Sequence, residues 1–217
     1  MSKLPPSASI AEAAGGAKLH APSAARNGPA IVALIQQIAP ARGRALEIAS
    51  GTGQHVAELA CALPQIDWHP SEIDPLRIAS VDAYVAEAGL ANLHSAQQLD
   101  ATRDGWSAAH RPYDLVHLSN LLHLIPEPAA KAVITEAASA VADNGLLVLY
   151  GPFKRGGALT SQGDTTFDAE LRAADPAIGY KDDAWVTRVL TQAGLTLIAI
   201  REMPANNLAF IASRRRP

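Results

Sequence analysis

The chain predicts a doubly wound α/β fold: a seven-stranded sheet, covered by helices on both faces, whose last strand is antiparallel. Three observations carry this. Short, nearly continuous apolar runs alternate with stretches of helical periodicity, the pattern of parallel strands buried on both faces. A glycine turn, Ser50-Gly51-Thr52-Gly53, stands between the first such run and a helical stretch. The last two apolar runs, 195–200 and 208–212, are separated only by a short turn-like segment containing Met203-Pro204-Ala205-Asn206-Asn207. A parallel crossover needs roughly a dozen residues or more, so the final strand returns antiparallel.

The elements follow in order. Residues 1–22 are rich in Pro, Ala and Gly and predict a loose arm. Ile31, Leu34, Ile35 and Ile38 recur at helical spacing over 29–38, with Asn27 placed to cap and Pro29 in the first turn. Residues 44–49 form a buried strand, the glycine turn follows, and a helix runs to Leu63. A second strand covers 66–68, a helix runs from Pro75 to Ala88 and stops at Gly89, and a third strand covers 93–99. The fourth strand is 113–118. A helix over 127–142 ends toward Gly145, read as a C-terminal glycine. The fifth strand is 146–150, and 151–182 is long for a strand-to-helix connection, even with a helix over about 165–173.

Composition narrows the function classes. A length of 217 residues predicts one domain, 23–217, behind the arm. With 48% hydrophobic and 18% charged residues the chain has core enough to fold. Eighteen basic against 21 acidic residues, a net charge of −3, disfavour a broad surface for nucleic acid. The one basic cluster, Arg214-Arg215-Arg216, reads as a solvated chain end. A single cysteine, Cys61, excludes an internal disulfide and fits a reducing compartment. No signal-peptide pattern and no apolar run of about 20 residues is present, so the expectation is a cytoplasmic protein with no membrane contact.

Gly-x-Gly between strand and helix lets a ligand approach the backbone at a helix N-terminus. Alone it also fits a plain tight turn, and Val56 stands where a dinucleotide fingerprint has its third glycine. The neighbouring acids add to it. Glu47 interrupts an apolar strand, where a carboxylate is costly unless partnered. Glu72 and Asp74 lie about 20 residues beyond the glycines, the spacing at which an acid accepts from ribose hydroxyls, and Asp100 follows the third strand. Acids on three successive strand ends suit a ligand with hydroxyls, an amine and a positive charge, and repel a pyrophosphate. For Glu72, Asp74 and Asp100, helix capping or solvated loop ends is the competing reading.

These residues resemble the class I S-adenosylmethionine-dependent methyltransferases, a Rossmann-like fold. Glu47-Ile-Ala-Ser-Gly-Thr-Gly53 is similar to their first motif, with Ala49 at its first glycine; Asn120–Pro126 resembles the segment after strand four and Asp143–Tyr150 the turn into strand five. More closely, the chain resembles a methyltransferase-like branch defined by a shared domain of unknown function, of the DUF938 type. That resemblance rests on Arg26-Asn27, Glu47–His55, Leu149–Phe153, Phe167–Arg172 and Glu202–Leu208.

The resemblance implies S-adenosylmethionine as cofactor and S-adenosylhomocysteine as product. It implies that Ala49, Gly51 and Gly53 lie against the methionine part and Glu47 orients the loop. Glu72, or Asp74 if the strand ends later, would take the ribose and Asp100 the adenine amine. Asn120 would contact cofactor or substrate, and Arg26 and Asn27 would belong to an N-terminal lid over the ligand.

Methyl transfer from a sulfonium is an in-line displacement with a good leaving group, so positioning and desolvation carry much of it. A base is required only where the acceptor holds a proton. His123, at the carboxyl end of strand four, is the candidate base or substrate contact, and Tyr150 the second candidate; a loop histidine and a packed tyrosine are the alternatives. His117 reads as a core histidine, and His55 has an ordinary place in a first helical turn. Lys154 and Arg155 could pair with an acidic substrate or simply be solvated. Asn206 and Asn207 either close the pocket or build the hairpin.

No metal-ligand spacing is visible among the seven histidines. The expected function is methyl transfer to an O, N or S nucleophile of a small metabolite. The rivals are a non-catalytic binding protein of the same fold and, further off, a nicotinamide-dependent oxidoreductase. The oligomeric state is open.

Overall fold

The computed structural model describes residues 4–110 and 112–214. Arg215 and Arg216 of the basic cluster lie outside the described residues. The central sheet is built from β3 (Gly43–Ile48), β4 (Ile66–Glu72), β5 (Gln97–Gln98), β6 (Tyr113–Ser119), β7 (Val141–Lys154), β9 (Thr196–Glu202) and β10 (Asn207–Ser213). They lie in the order β5-β4-β3-β6-β7-β10-β9. The pairs β3–β4, β3–β6, β4–β5 and β6–β7 are parallel, whereas β10 runs antiparallel to both β7 and β9. From β3 the chain winds outward through β4 and β5, then crosses back to β6 on the other side. In such sheets a crevice opens beyond the carboxyl ends of the strands at this reversal.

The apolar runs are continuous because neighbouring residues serve opposite layers. Ala45, Leu115, Val148 and Tyr150 face α1 (Pro22–Ile38), α2 (Gln54–Ala62) and α3 (Pro75–Ala88), packing with Ile31, Ile35, Leu59 and Val81. Leu46, Val116, Leu147 and Leu149 face α4 (Glu127–Ala140) and α6 (Asp183–Gln192), with Ile134, Ala137, Val186 and Leu190. A smaller cluster joins Leu171 of α5 (Gln162–Ala174) to Ala8, Ile178 and Tyr180.

Local expectations shift in five places. Helix α1 begins at Pro22, so Asn27 and Pro29 lie inside it and Asn27 is not a cap; Asn27 is buried, and tertiary burial overrides its preference for a helix start. In the segment expected as a loose arm, β1 (Glu12–Ala13) and β2 (Leu19–His20) pair as a hairpin. The third strand shrinks to Gln97–Gln98 and a bridge at Leu93, because the Ala96 N–H donates to Asp82 Oδ1 at 2.8 Å instead of to β4. Helix α4 ends at Ala140, and Gly145 lies within β7. There a Cβ would come within 3.0 Å of the Tyr113 carbonyl, so this glycine permits strand approach and caps no helix. Finally, β8 (Lys181–Asp182) returns from the 151–182 excursion to pair with Phe153–Lys154.

Candidate functional site

A cleft of about 1150 Å³ opens beyond the carboxyl ends of β3, β4 and β6. Its floor is the loop after β3. Ala49 (φ 54°) and Gly51 (φ 60°) both take the left-handed conformation there, as does Asn120 (φ 55°) after β6. The loop is anchored across the cleft, since the Gly51 N–H donates to Glu72 Oε2 at 2.9 Å. Gly53 has a different part. It does not line the cleft, and a Cβ on it would stand 2.8 Å from the Val81 Cα, so it lets α3 close against the start of α2.

The acids are unequal. Glu47 is 2% exposed and its Oε2 has no hydrogen-bond partner among the described residues. Burial pushes its carboxyl up to about 8; a Ser50 hydrogen bond opposes the shift and the Glu72 charge adds to it. Glu72 is also buried, but its Oε1 accepts from the Ile73 and Asp74 N–H groups (2.7 and 3.3 Å) besides the Gly51 bond at Oε2. Asp74 caps α3 by accepting from the Leu76 N–H at 2.8 Å. Asp100 accepts from the Thr102 hydroxyl and N–H, which hold its carboxyl below the usual range.

The opposite wall is aromatic. His123 meets the Phe167 and Tyr180 rings edge-on, with centroids 5.8 and 6.1 Å away. Burial, reinforced by Lys181, pulls the imidazole down to about 3, so it is neutral at physiological pH. Asp164 accepts from the Tyr180 hydroxyl at 3.2 Å and from Asn206 Nδ2 at 3.3 Å. Lys181, buried and pulled down to about 8 chiefly by burial, donates to the Ile125 and Gly179 carbonyls, both at 2.8 Å. It thereby ties the loop after β6 to the segment leading into β8. Arg26 and Asn27 of α1 and Ser7–Ile10 of the N-terminal segment also border the cleft. Arg77 on α3 donates to Ser9, and the Ser7 hydroxyl donates to Glu170 on α5, so this segment bridges the two sides.

Arg26, Asn27, Glu47, Ala49, Gly51, Glu72, Asp100, Asn120 and His123 therefore share one cleft. Tyr150 is not among the residues that line it. It sits in the core beneath α1 and α2, its buried hydroxyl without a hydrogen-bond partner among the described residues and pushed up to about 12 by burial, so the two residues expected to do chemistry are separated. His117 is fully buried and bonded to Ser119 Oγ at 2.8 Å, a core histidine as read. His55 bonds the Ala24 carbonyl. Arg155 pairs with Glu202 at 3.8 Å, outside the cleft lining. Sequence reasoning missed Asp164, Tyr180 and Lys181, which converge because β8 returns to the sheet; Phe167 and Asp168, which accepts from the Tyr180 N–H at 2.6 Å, stood in a motif without an assigned role.

Residues 18–214 match the family model described as protein of unknown function, DUF938. The chain belongs to this family. The DUF938 chain is also similar in fold to solved methyltransferase structures. An O-methyltransferase family protein from Burkholderia thailandensis superposes with a TM-score of 0.74 at 17% identity, over 85% of this chain and 55% of that one. The S-adenosylmethionine-dependent methyltransferase SibL gives 0.74 at 18%, over 89% and 56%. NcsB1, an O-methyltransferase from neocarzinostatin biosynthesis solved with S-adenosylmethionine and 2-hydroxy-5-methyl naphthoic acid, gives 0.72 at 14%, over 88% and 54%. The DUF938 chain thus spans just over half the length of the structures it matches. Among its described residues, no helix is long and apolar enough to cross a membrane.

Proposed function

We propose that this protein is an S-adenosylmethionine-dependent methyltransferase acting on an O, N or S nucleophile of a small metabolite. The observation that carries the reading is the buried Glu47 carboxyl beside the cleft, one oxygen of which has no hydrogen-bond partner among the described residues. Such a group calls for a cationic ligand. S-adenosylmethionine fits that demand, with a sulfonium and an ammonium on one molecule, and the acids on neighbouring strand ends disfavour a dinucleotide pyrophosphate.

When bound, the cofactor supplies an activated methyl group and leaves as S-adenosylhomocysteine. In this reading Ala49 and Gly51 let the backbone approach the methionine part, and Glu47 faces its positive charge. Glu72 takes the ribose, its carboxylate fixed at the end of β4 by the Gly51, Ile73 and Asp74 N–H groups, while Asp74 caps α3. Asp100 takes the adenine amine, and Asn120 borders cofactor and acceptor. The neutral His123 accepts a hydrogen bond from the acceptor's O–H or N–H and orients its lone pair for in-line attack. Phe167 and Tyr180 present ring edges to a small, partly apolar acceptor, while the N-terminal segment and the 151–182 excursion exclude water. Neither nucleic acid nor membrane enters this reading, which places the protein in the cytoplasm.

The test is transfer of label from methyl-labelled S-adenosylmethionine to a fractionated extract of small metabolites. The reading expects label in the small-molecule fraction and a loss on the order of a hundredfold in His123→Ala with cofactor affinity retained. One observation favours a second reading, a non-catalytic cofactor-binding protein: with Tyr150 in the core, His123 is the only one of the two expected catalytic residues that borders the cleft. Cofactor binding without transfer to any fraction would support that instead.

A further inference from the structure

At the end of β4 away from the cleft, Asp67 and His69 share a strand face and meet His94 from the segment after α3. At about 3.3 Å per residue, Asp67 is roughly 16 Å from Glu72 along the strand. Asp67 Oδ2 lies 3.1 Å from His69 Nε2, and Oδ1 lies 2.5 Å from His94 Nε2. The two imidazoles stack with centroids 4.4 Å apart and planes within 8° of parallel. One donor atom from each residue falls within 4.8 Å of the other two.

We propose that Asp67, His69 and His94 form a binding site for a divalent transition-metal cation of the zinc class, separate from the cleft. Two imidazoles and a carboxylate suit zinc, nickel or copper, whereas calcium and magnesium prefer all-oxygen shells. A tetrahedral zinc with bonds of 2.0–2.1 Å places its ligand atoms about 3.3 Å apart. The His69–Asp67 separation already has that value within 0.2 Å, and His94, whose side chain is 44% exposed, is free to swing outward by the small amount needed. Arg44 opposes a cation, and its guanidinium is drawn over the Tyr113 ring, 4.7 Å from the centroid. Each imidazole meets its own oxygen of the Asp67 carboxylate, and this pair of contacts holds both Nε2 atoms around the point a cation would take.

A bound cation would tie β4 to the segment that runs on to Leu99 and Asp100 at the cleft. That segment is otherwise held by few backbone bonds, including Trp68 N–H to Asn92 O at 2.8 Å and His94 N–H to Trp68 O at 3.0 Å. Metal occupancy would therefore stabilise the sheet edge next to the candidate adenine site.

The experiment uses untagged full-length protein stripped with EDTA and titrated calorimetrically with zinc chloride. A Cys61→Ser background removes the exposed thiol as a competing ligand. The parent is expected to take up one zinc ion saturably, with a higher thermal midpoint in zinc than in EDTA. His94→Ala and Asp67→Asn are each expected to weaken uptake by at least about tenfold and to abolish the midpoint shift. Both side chains are more than 40% exposed, so neither substitution opens the core. No saturable uptake by the parent, or equal uptake by the parent and the doubly substituted protein, overturns the proposal.

Discussion

Glu47 is held in the folded chain in a state that water would not choose. Its carboxyl is raised from an ordinary value of 4.5 to about 8, so the folded protein binds an extra proton between those values. A cationic cofactor bound beside this carboxyl would ionise it. Below pH 8, binding should therefore release protons, about one per chain at pH 7. Calorimetry in buffers of differing ionisation enthalpy measures that number directly, and Glu47→Gln should reduce it to near zero; buffer-independent heats from the wild-type protein would count against this role. Ala49 stores strain of another kind. Its left-handed backbone costs roughly 1–2 kcal/mol, more than the roughly 0.5–1 kcal/mol of chain entropy a glycine adds. Ala49→Gly should thus raise unfolding stability by up to about 1 kcal/mol in chemical denaturation, and a clear loss would show that the Ala49 methyl contributes packing.

At the scale of elements, the two loop glycines separate. Gly51 borders the cleft, while Gly53 is a packing glycine at φ 96°, where a Cβ would meet α3 backbone. Gly53→Ala should cost about 2–3 kcal/mol, read as a lower denaturation midpoint with or without cofactor. Unchanged stability would place the glycine's role elsewhere. This difference was not legible in the motif, because the contact is made by Val81, 28 residues away in the chain. The strands facing both layers were legible, since Leu46, Val116 and Leu147 leave an unmistakable apolar pattern, and so was the closing antiparallel strand, from loop length alone. The cleft acids were legible because they sit at strand ends. The aromatic wall was not, since Tyr180 and Asp164 meet through a two-residue strand that carries no periodicity. Tyr150 was misassigned because the expected fifth strand stopped at it, whereas β7 runs on to Lys154 and Tyr150 packs with the α1 and α2 side chains.

For the whole molecule, buried titratable groups set a stability profile. His117 and His123 are both pulled from 6.5 to about 3 by burial, so their contribution is present above pH 6.5 and lost as pH falls toward 3. Glu47 acts oppositely: its contribution is present below 4.5 and lost as pH rises to about 8. Two protons against one make stability climb from acid to near pH 6.5 and then decline toward pH 8. Thermal midpoints measured across that range should peak near 6.5, and Glu47→Gln should flatten the alkaline side. A wild-type midpoint that rises steadily to pH 8 would contradict the burial of Glu47.

The central claim concerns what the cleft holds. Calorimetric titration of the full chain with S-adenosylmethionine, S-adenosylhomocysteine and NAD, each separately, tests it most directly. The account predicts saturable one-to-one binding of the two adenosyl ligands, weakened by Glu72→Gln and Asp100→Ala, and no binding of NAD. Binding of NAD alone, or of none of the three, would contradict it.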